Sequence, residues 1–136
     1  MISPTLDSLR TFLHVLAASV WVGGQIVLGG LVPRVRRTNP EALKTIANGF
    51  SRVAWPAFAI SVVTGIWNML DIDVSAMDST YHVTLGVKVV VVMLAGFAAA
   101  AHANTKNKLV LALGGAIGLL ASLAAMYLGV LLTTAS

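Results

Sequence analysis

Two ionisable side chains lie within long apolar stretches of the chain, His14 in the first stretch and Lys88 in the third. A charged residue at the centre of a membrane helix costs roughly 2.5–3.5 kcal/mol on insertion scales, so each one calls for a reason. An imidazole can ligate copper or haem iron. The structural alternatives are a neutral core histidine bonded to a hydroxyl group and a lysine whose stem bends toward the membrane surface.

Other polar or soft side chains fall near the outer ends of the apolar stretches, at a similar depth. The predicted cofactor-binding residues are His14, Lys88, Thr64, Asn68 and Tyr127. The predicted metal ligands are His14, His82 and Met126. Imidazole and thioether groups suit copper, whereas an ammonium such as Lys88 repels a cation and suits a haem propionate. The residues therefore leave copper and haem b as alternative cofactors.

The elements that must position these residues are four apolar blocks. The 136 residues are 57% hydrophobic and only 10% charged, with a mean hydropathy of +0.88, whereas soluble domains carry about 25% charged residues. Each block has about the 20 residues that a bilayer requires and must be helical, because unpaired backbone groups are costly in hydrocarbon. We predict an all-α, integral membrane up-down four-helix bundle, a single domain over residues 1–136. Its helices are expected at about 8–32, 50–70, 81–102 and 109–133.

The loops predict the orientation of the chain in the membrane. Seven of the nine basic residues lie in the segment from Pro33 to Arg52 and in the turn between the last two helices, whereas the middle loop carries three aspartates and no base. Because basic loops stay in the cytoplasm, both termini are expected outside. We expect a multi-pass cell-membrane protein, of the bacterial inner membrane, and a short surface helix in the first loop that begins at Pro40.

Two helix faces are predicted to point toward neighbouring helices, since small and polar residues line helix contacts in lipid. The fourth helix carries small residues at spacings of three and four: Gly114, Gly118, Ser122, Ala125 and Gly129. The second carries a more polar face: Ala57, Ser61, Thr64 and Asn68. Both stripes also have a purely structural explanation, namely that they hold the helices together.

Several functions are disfavoured by what the sequence lacks. There is no cysteine, no carboxylate pair within a helix, no P-loop, no GxGxxG after a strand and no HExxH motif. Two or three scattered histidines without cysteine do not indicate a structural zinc site. The net charge of +4 is explained by the basic loops of a membrane protein, so nucleic acid is not an expected partner. These observations favour a non-enzymatic role without deciding it.

Most of the chain, from Leu9 to His102, resembles the membrane domain of the CopD copper-resistance family. The similarity lies in F-L-H-V-L-A-A-S-V-W-V-G-G from Phe12, F-S-R-V-A from Phe50, V-V-T-G-I-W from Val62 and S-T-Y-H-V-T-L-G-V-K from Ser79. At His82 the chain departs from the family pattern, which tends to have glycine there. The resemblance implies a membrane protein that transports or binds copper at its outer face.

A related resemblance is to HemJ-type protoporphyrinogen oxidases, which are small membrane proteins that bind b-type haem. The shared residues are His14, Trp21, Pro33-Arg34 and Lys88. This resemblance implies that His14 is an axial haem ligand and that Lys88 pairs with a propionate.

Three hypotheses follow for the function. The leading one is a CopD-like protein that handles copper, and the second is a haem b-binding membrane redox protein. The third is a non-catalytic accessory subunit of a larger membrane complex, with the small-residue stripe of the fourth helix as its docking face. The partners expected are the lipid bilayer, a metal ion or haem, and a homo-oligomer or larger complex.

Overall fold

Four long α-helices account for most of the chain in the computed structural model, which describes residues 1–134. The helices are α1 (Leu6–Thr38), α2 (Ala42–Asp71), α3 (Ser79–Ala103) and α4 (Lys108–Thr134), with a short 3₁₀ turn at Val74–Ala76. Each long helix is apolar and long enough to cross a membrane. The all-α class and the four expected spans are therefore confirmed. The C-terminus, which we expect outside, lies beyond the described residues.

The helices extend past the apolar blocks because their ends are set by capping groups and not by hydropathy. Thr5 caps α1 in a capping box with Ser8, where each side chain bonds the other residue's backbone N–H. Asp78 caps α3 by accepting from the N–H of Tyr81 at 2.8 Å. Asn107 Oδ1 accepts from the N–H groups of Leu109 and Val110 at the start of α4. Polar helix turns thus continue beyond the hydrocarbon stretch.

The prediction of a separate short surface helix that begins at Pro40 is wrong. Asn39, Pro40 and Glu41 form a tight turn, and α2 then runs without interruption from Ala42 to Asp71. The expected start near Phe50 marked where the residues become apolar. Between Ala42 and that point the chain contains no proline and one glycine, Gly49, at a cost of about 1 kcal/mol, so nothing ends the helix there.

Contacts divide the chain into two compact units, Met1–Ile72 and a second that begins at Asp73. In the first hairpin, α1 packs antiparallel on α2, since Arg10 meets Asp71 and Trp21 meets Trp55. In the second hairpin, α3 packs antiparallel on α4, since Lys88 meets Gly129 and His102 meets Gly114. In each hairpin we call the end with the connecting loop the turn end and the opposite end the open end.

The small-residue stripe of α4 lies against α3, as its spacing predicts. Gly114, Gly118, Ser122 and Ala125 are all buried. A Cβ atom built on Gly114 would lie 2.9 Å from the carbonyl oxygen of Ala98, while one built on Gly118 would meet ordinary contacts of 3.6 Å or more. Among the glycines of this hairpin, Gly114, near the turn end, is therefore the one closest to the backbone of α3.

The predicted orientation can be tested with single cysteines, because the chain contains none of its own. We expect Asp73→Cys to react with a membrane-impermeant maleimide on intact cells, and Arg36→Cys to react only after lysis. The physical reason is that basic loops are retained in the cytoplasm. Gel-shift counting of labelled protein measures both variants side by side. If only Arg36→Cys were labelled on intact cells, the orientation would be the reverse of the one expected.

Candidate functional site

The centre of the first hairpin contains a histidine bonded to a buried threonine. His14 on α1 is half-buried, and its Nδ1 lies 2.9 Å from the hydroxyl oxygen of Thr64 on α2. Thr64 is only 4% exposed. Two of the predicted site residues, widely separated in the chain, are thus brought into direct contact.

The hydrogen bonds of Thr64 determine the direction of this contact. Its hydroxyl group lies 2.6 Å from the carbonyl oxygen of Ile60 and 3.2 Å from that of Ser61, both of which can only accept. A hydroxyl has one proton to donate, so that proton is directed to the helix backbone and Oγ1 accepts from His14. The neutral His14 ring therefore carries its proton on Nδ1 and its lone pair on Nε2.

Gly65, beside Thr64 on α2, makes room for the His14 ring. A Cβ atom on Gly65 would lie 3.3 Å from His14 Cε1, which is tighter than most side-chain contacts. The T-G pair in V-V-T-G-I-W therefore provides both the hydrogen-bond acceptor and the space for one imidazole. Asn68, also a predicted site residue, is half-buried one helical turn further toward the open end.

An aromatic cluster packs two turns away from His14, toward the turn end. The ring of Trp21, which is buried, lies 5.3 Å from that of Trp55 and 4.6 Å from that of Phe58, centroid to centroid. A Cβ atom on Gly24 would lie 2.5 Å from Cε2 of Phe50. Trp21 and Gly24 of the W-x-G-G segment thus hold α1 against α2, through tilted aromatic contacts and close packing. These contacts fix the position of α1 two turns from His14.

Arg10 holds the open end of the same hairpin and was not among the residues selected from the sequence. Its Nη1 lies 2.9 Å from Asp71 Oδ2 on α2, and its Nη2 lies 3.3 Å from Asp7 Oδ1. Its guanidinium carbon lies 5.6 Å from the ring centroid of Trp67. Arg10 is 8% exposed, and its buried Nε has no hydrogen-bond partner among residues 1–134. The guanidinium therefore ties α1 to α2 one turn from His14.

A signal for Arg10 was present in the sequence. Arg10 stands four residues before His14, on the same helix face, and three residues after Asp7. The insertion cost that singled out Lys88 applies to Arg10 as well. What the sequence could not supply was Asp71, because that pairing depends on the register between α1 and α2.

Lys88 lies in the second hairpin, where its side chain is half-buried on α3. A Cβ atom built on Gly129 of α4 would lie 3.0 Å from Lys88 Nζ, so the amine rests against the α4 backbone at that glycine. Within residues 1–134, no ion pair includes Lys88. Gly129, the last member of the small-residue stripe, therefore makes room for an amine instead of for a close helix contact.

The remaining predicted residues of the second hairpin are exposed. His82 lies in the first turns of α3, and its Nε2 donates to the carbonyl oxygen of Val74 at 2.6 Å, which ties the acidic loop to α3. Met126 is 37% exposed and Tyr127 is 63% exposed on α4. The third histidine, His102, donates from Nδ1 to the carbonyl oxygen of Leu111 at 2.6 Å at the turn end.

His14 and Thr64 thus form a contact in the first hairpin, whereas Lys88, His82, Met126 and Tyr127 belong to the second. Among the described residues no group of three or more His, Cys, Asp or Glu side chains is arranged to hold a metal ion. The site that the structure does show is the imidazole of His14, whose tautomer is fixed by its hydrogen bond to Thr64. Comparisons with protein families, curated proteins and solved structures give no match to this chain.

Proposed function

We propose that this chain is an integral membrane protein with a metal centre held by His14, and that haem b is the occupant its residues fit best. The observation that supports this is the hydrogen bond from His14 Nδ1–H to Thr64, because Thr64 must accept. Histidines that ligate metals commonly donate their other ring N–H to a fixed acceptor, which orients the ring and raises its basicity. Here that arrangement makes Nε2 the coordinating nitrogen.

Haem fits this donor set because the porphyrin supplies four nitrogen ligands and the protein needs to add one or two. A copper site built from side chains alone needs several donors in one place, and His14 is the one histidine of the first unit, Met1–Ile72. His14 would hold the iron, Thr64 would fix the ring, and Gly65 would leave it space. When bound, a b-type haem supplies one-electron transfer.

Lys88 lies in the second unit, and its part in this proposal rests on the HemJ-type resemblance alone. That resemblance implies that the lysine of the third helix pairs with a haem propionate, a carboxylate of the kind that an ammonium group in an apolar helix requires.

Copper is the second candidate. The CopD-like motifs favour it, and the imidazole of His14 is a ligand of the kind that copper accepts. Copper would then be transported or bound at the outer face. For either occupant we propose the bacterial inner membrane as the location, with the basic loops in the cytoplasm.

The occupant is determined by an absorbance spectrum and a metal analysis of natively expressed protein purified in detergent. We expect a Soret band and stoichiometric iron. Stoichiometric copper without a Soret band would overturn the haem proposal in favour of copper. Neither metal, in protein that is folded and monodisperse, would contradict both and favour an accessory subunit of a larger membrane complex.

A further inference from the structure

The connection between α1 and α2 carries an unpaired group of cations, which we call the basic turn. It consists of four basic residues on the helix ends that flank the turn: Arg34, Arg36, Arg37 and Lys44. All four side chains are exposed, and the one acid among them is Glu41. Both ion pairs found in the described part of the chain involve Arg10 at the opposite end. The basic turn therefore has a formal charge of 4 − 1 = +3 that no ion pair within the described chain neutralises.

These cations are held on rigid helix ends and not on a loose loop. α1 continues to Thr38, and α2 begins at Ala42 after a turn of three residues. At 1.5 Å per residue, the 33 residues of α1 span about 50 Å, whereas the hydrocarbon core is about 30 Å thick. Arg34, Arg36 and Arg37 follow the apolar stretch that ends near Val32, about 3–8 Å further along the helix axis. That is the depth of the lipid headgroups.

The helix dipoles favour some of these cations and disfavour another. Arg36 and Arg37 stand in the last turn of α1, where the helix dipole favours cations. Lys44 stands in the first turn of α2, where the dipole disfavours a cation, and that turn contains no acid. The dipole of α2 therefore does not stabilise the charge of Lys44.

We propose that the basic turn binds the phosphate groups of anionic glycerophospholipids in the adjoining leaflet. Guanidinium groups match phosphate oxygens in a two-pronged geometry, and lysine adds a point charge. The positive charge of the loop determines on which side of the membrane the loop stays. The placement of the cations at headgroup depth has a second effect, namely that the basic turn binds phosphatidylglycerol in preference to phosphatidylcholine.

The test is native mass spectrometry of the full chain released from nanodiscs that contain equal parts of phosphatidylglycerol and phosphatidylcholine. The variant neutralises four residues of the basic turn together: Arg34→Gln, Arg36→Gln, Arg37→Gln and Lys44→Gln. The control is Lys106→Gln with Lys108→Gln, which removes two cations from the other turn. Each headgroup-level cation contributes about fivefold in anionic-lipid affinity. We expect the fourfold variant to retain phosphatidylglycerol at least about tenfold less than the wild type, with phosphatidylcholine unchanged, since four fivefold contributions would multiply to about 600-fold if all four cations acted on one lipid.

Equal retention of the two lipids by the wild type, or an unchanged preference in the fourfold variant, would overturn the proposal. An equal loss in the Lys106/Lys108 control would also overturn it, since the effect would then be one of net charge. If the fourfold variant does not fold, the wild type still decides. Raising the salt from 50 to 500 mM during lipid exchange should then remove most of the phosphatidylglycerol preference, and a salt-independent preference would contradict a charge-based site. Inorganic phosphate at constant ionic strength should compete weakly, and full displacement by it would indicate a soluble anion as the occupant.

Discussion

The variant His14→Ala is expected to lose the Soret band almost completely while the protein stays folded and in the membrane. The reason is that His14 is the single histidine of the first hairpin, and in the proposed site its Nδ1–H bond to Thr64 would leave Nε2 as the nitrogen that ligates the metal. If the native metal is copper, the same variant should lose copper in elemental analysis. The measurement is the ratio of Soret to protein absorbance, with far-ultraviolet circular dichroism as a check on folding.

The control for this prediction is His102→Ala, which removes an equal imidazole from the second hairpin. His102 is tied to the carbonyl oxygen of Leu111 at the turn end, so its loss should leave the band in place. An intact band in His14→Ala, or equal losses in both variants, would contradict the assignment of His14.

A second pair of variants separates metal ligation from a merely structural histidine. Thr64→Val keeps the shape of the side chain but removes the acceptor for Nδ1–H, and loss of such a partner commonly weakens metal binding by about 10–100-fold. Thr64→Ser retains the hydroxyl group and should restore most of the affinity. A structural role for the His14–Thr64 bond alone would lower stability in Thr64→Val without altering the spectrum of the bound metal.

Much of the fold could be predicted from composition, because the length and hydropathy of a membrane span are set by the bilayer. The four spans and their all-α class follow from that constraint, whereas the α4 stripe that lies against α3 follows from the spacing of its small residues. The helix ends could not be predicted in the same way, since Ala42 begins α2 through local turn bonds that hydropathy does not detect.

The candidate site was predictable residue by residue but not as a set of contacts. His14 and Thr64 were both selected for their chemistry, yet the bond between them depends on the α1–α2 register. The pairing of Arg10 with Asp71 was missed for the same reason. Gly129 was assigned to close packing, and it instead lies under the amine of Lys88, because a small-residue pattern on one helix does not say which atom of the next helix fills the space.

The variant Gly114→Ala is expected to give the largest loss of stability among single-methyl additions in the second hairpin. The added Cβ would lie 2.9 Å from the carbonyl oxygen of Ala98 and 3.1 Å from the backbone nitrogen of His102. Both are backbone atoms of α3, so the helices must separate instead of a side chain moving aside. Overpacking of this kind costs about 1–3 kcal/mol in the free energy of unfolding, measured by denaturant titration in detergent micelles.

Two other glycines of the same hairpin make this a graded experiment. A Cβ atom on Gly86 would meet nothing within 4 Å, and one on Gly118 would first meet the backbone nitrogen of Ala99 at 3.6 Å. Gly86→Ala should therefore be neutral or slightly stabilising, since alanine is the better helix former, and Gly118→Ala should cost little. If Gly118→Ala were as destabilising as Gly114→Ala, α3 and α4 would pack equally closely at both glycines, and the expected order would be wrong. The expected order instead follows the backbone distances, because in a helix pair held by close contact the penalty for a methyl group depends on what atom it meets.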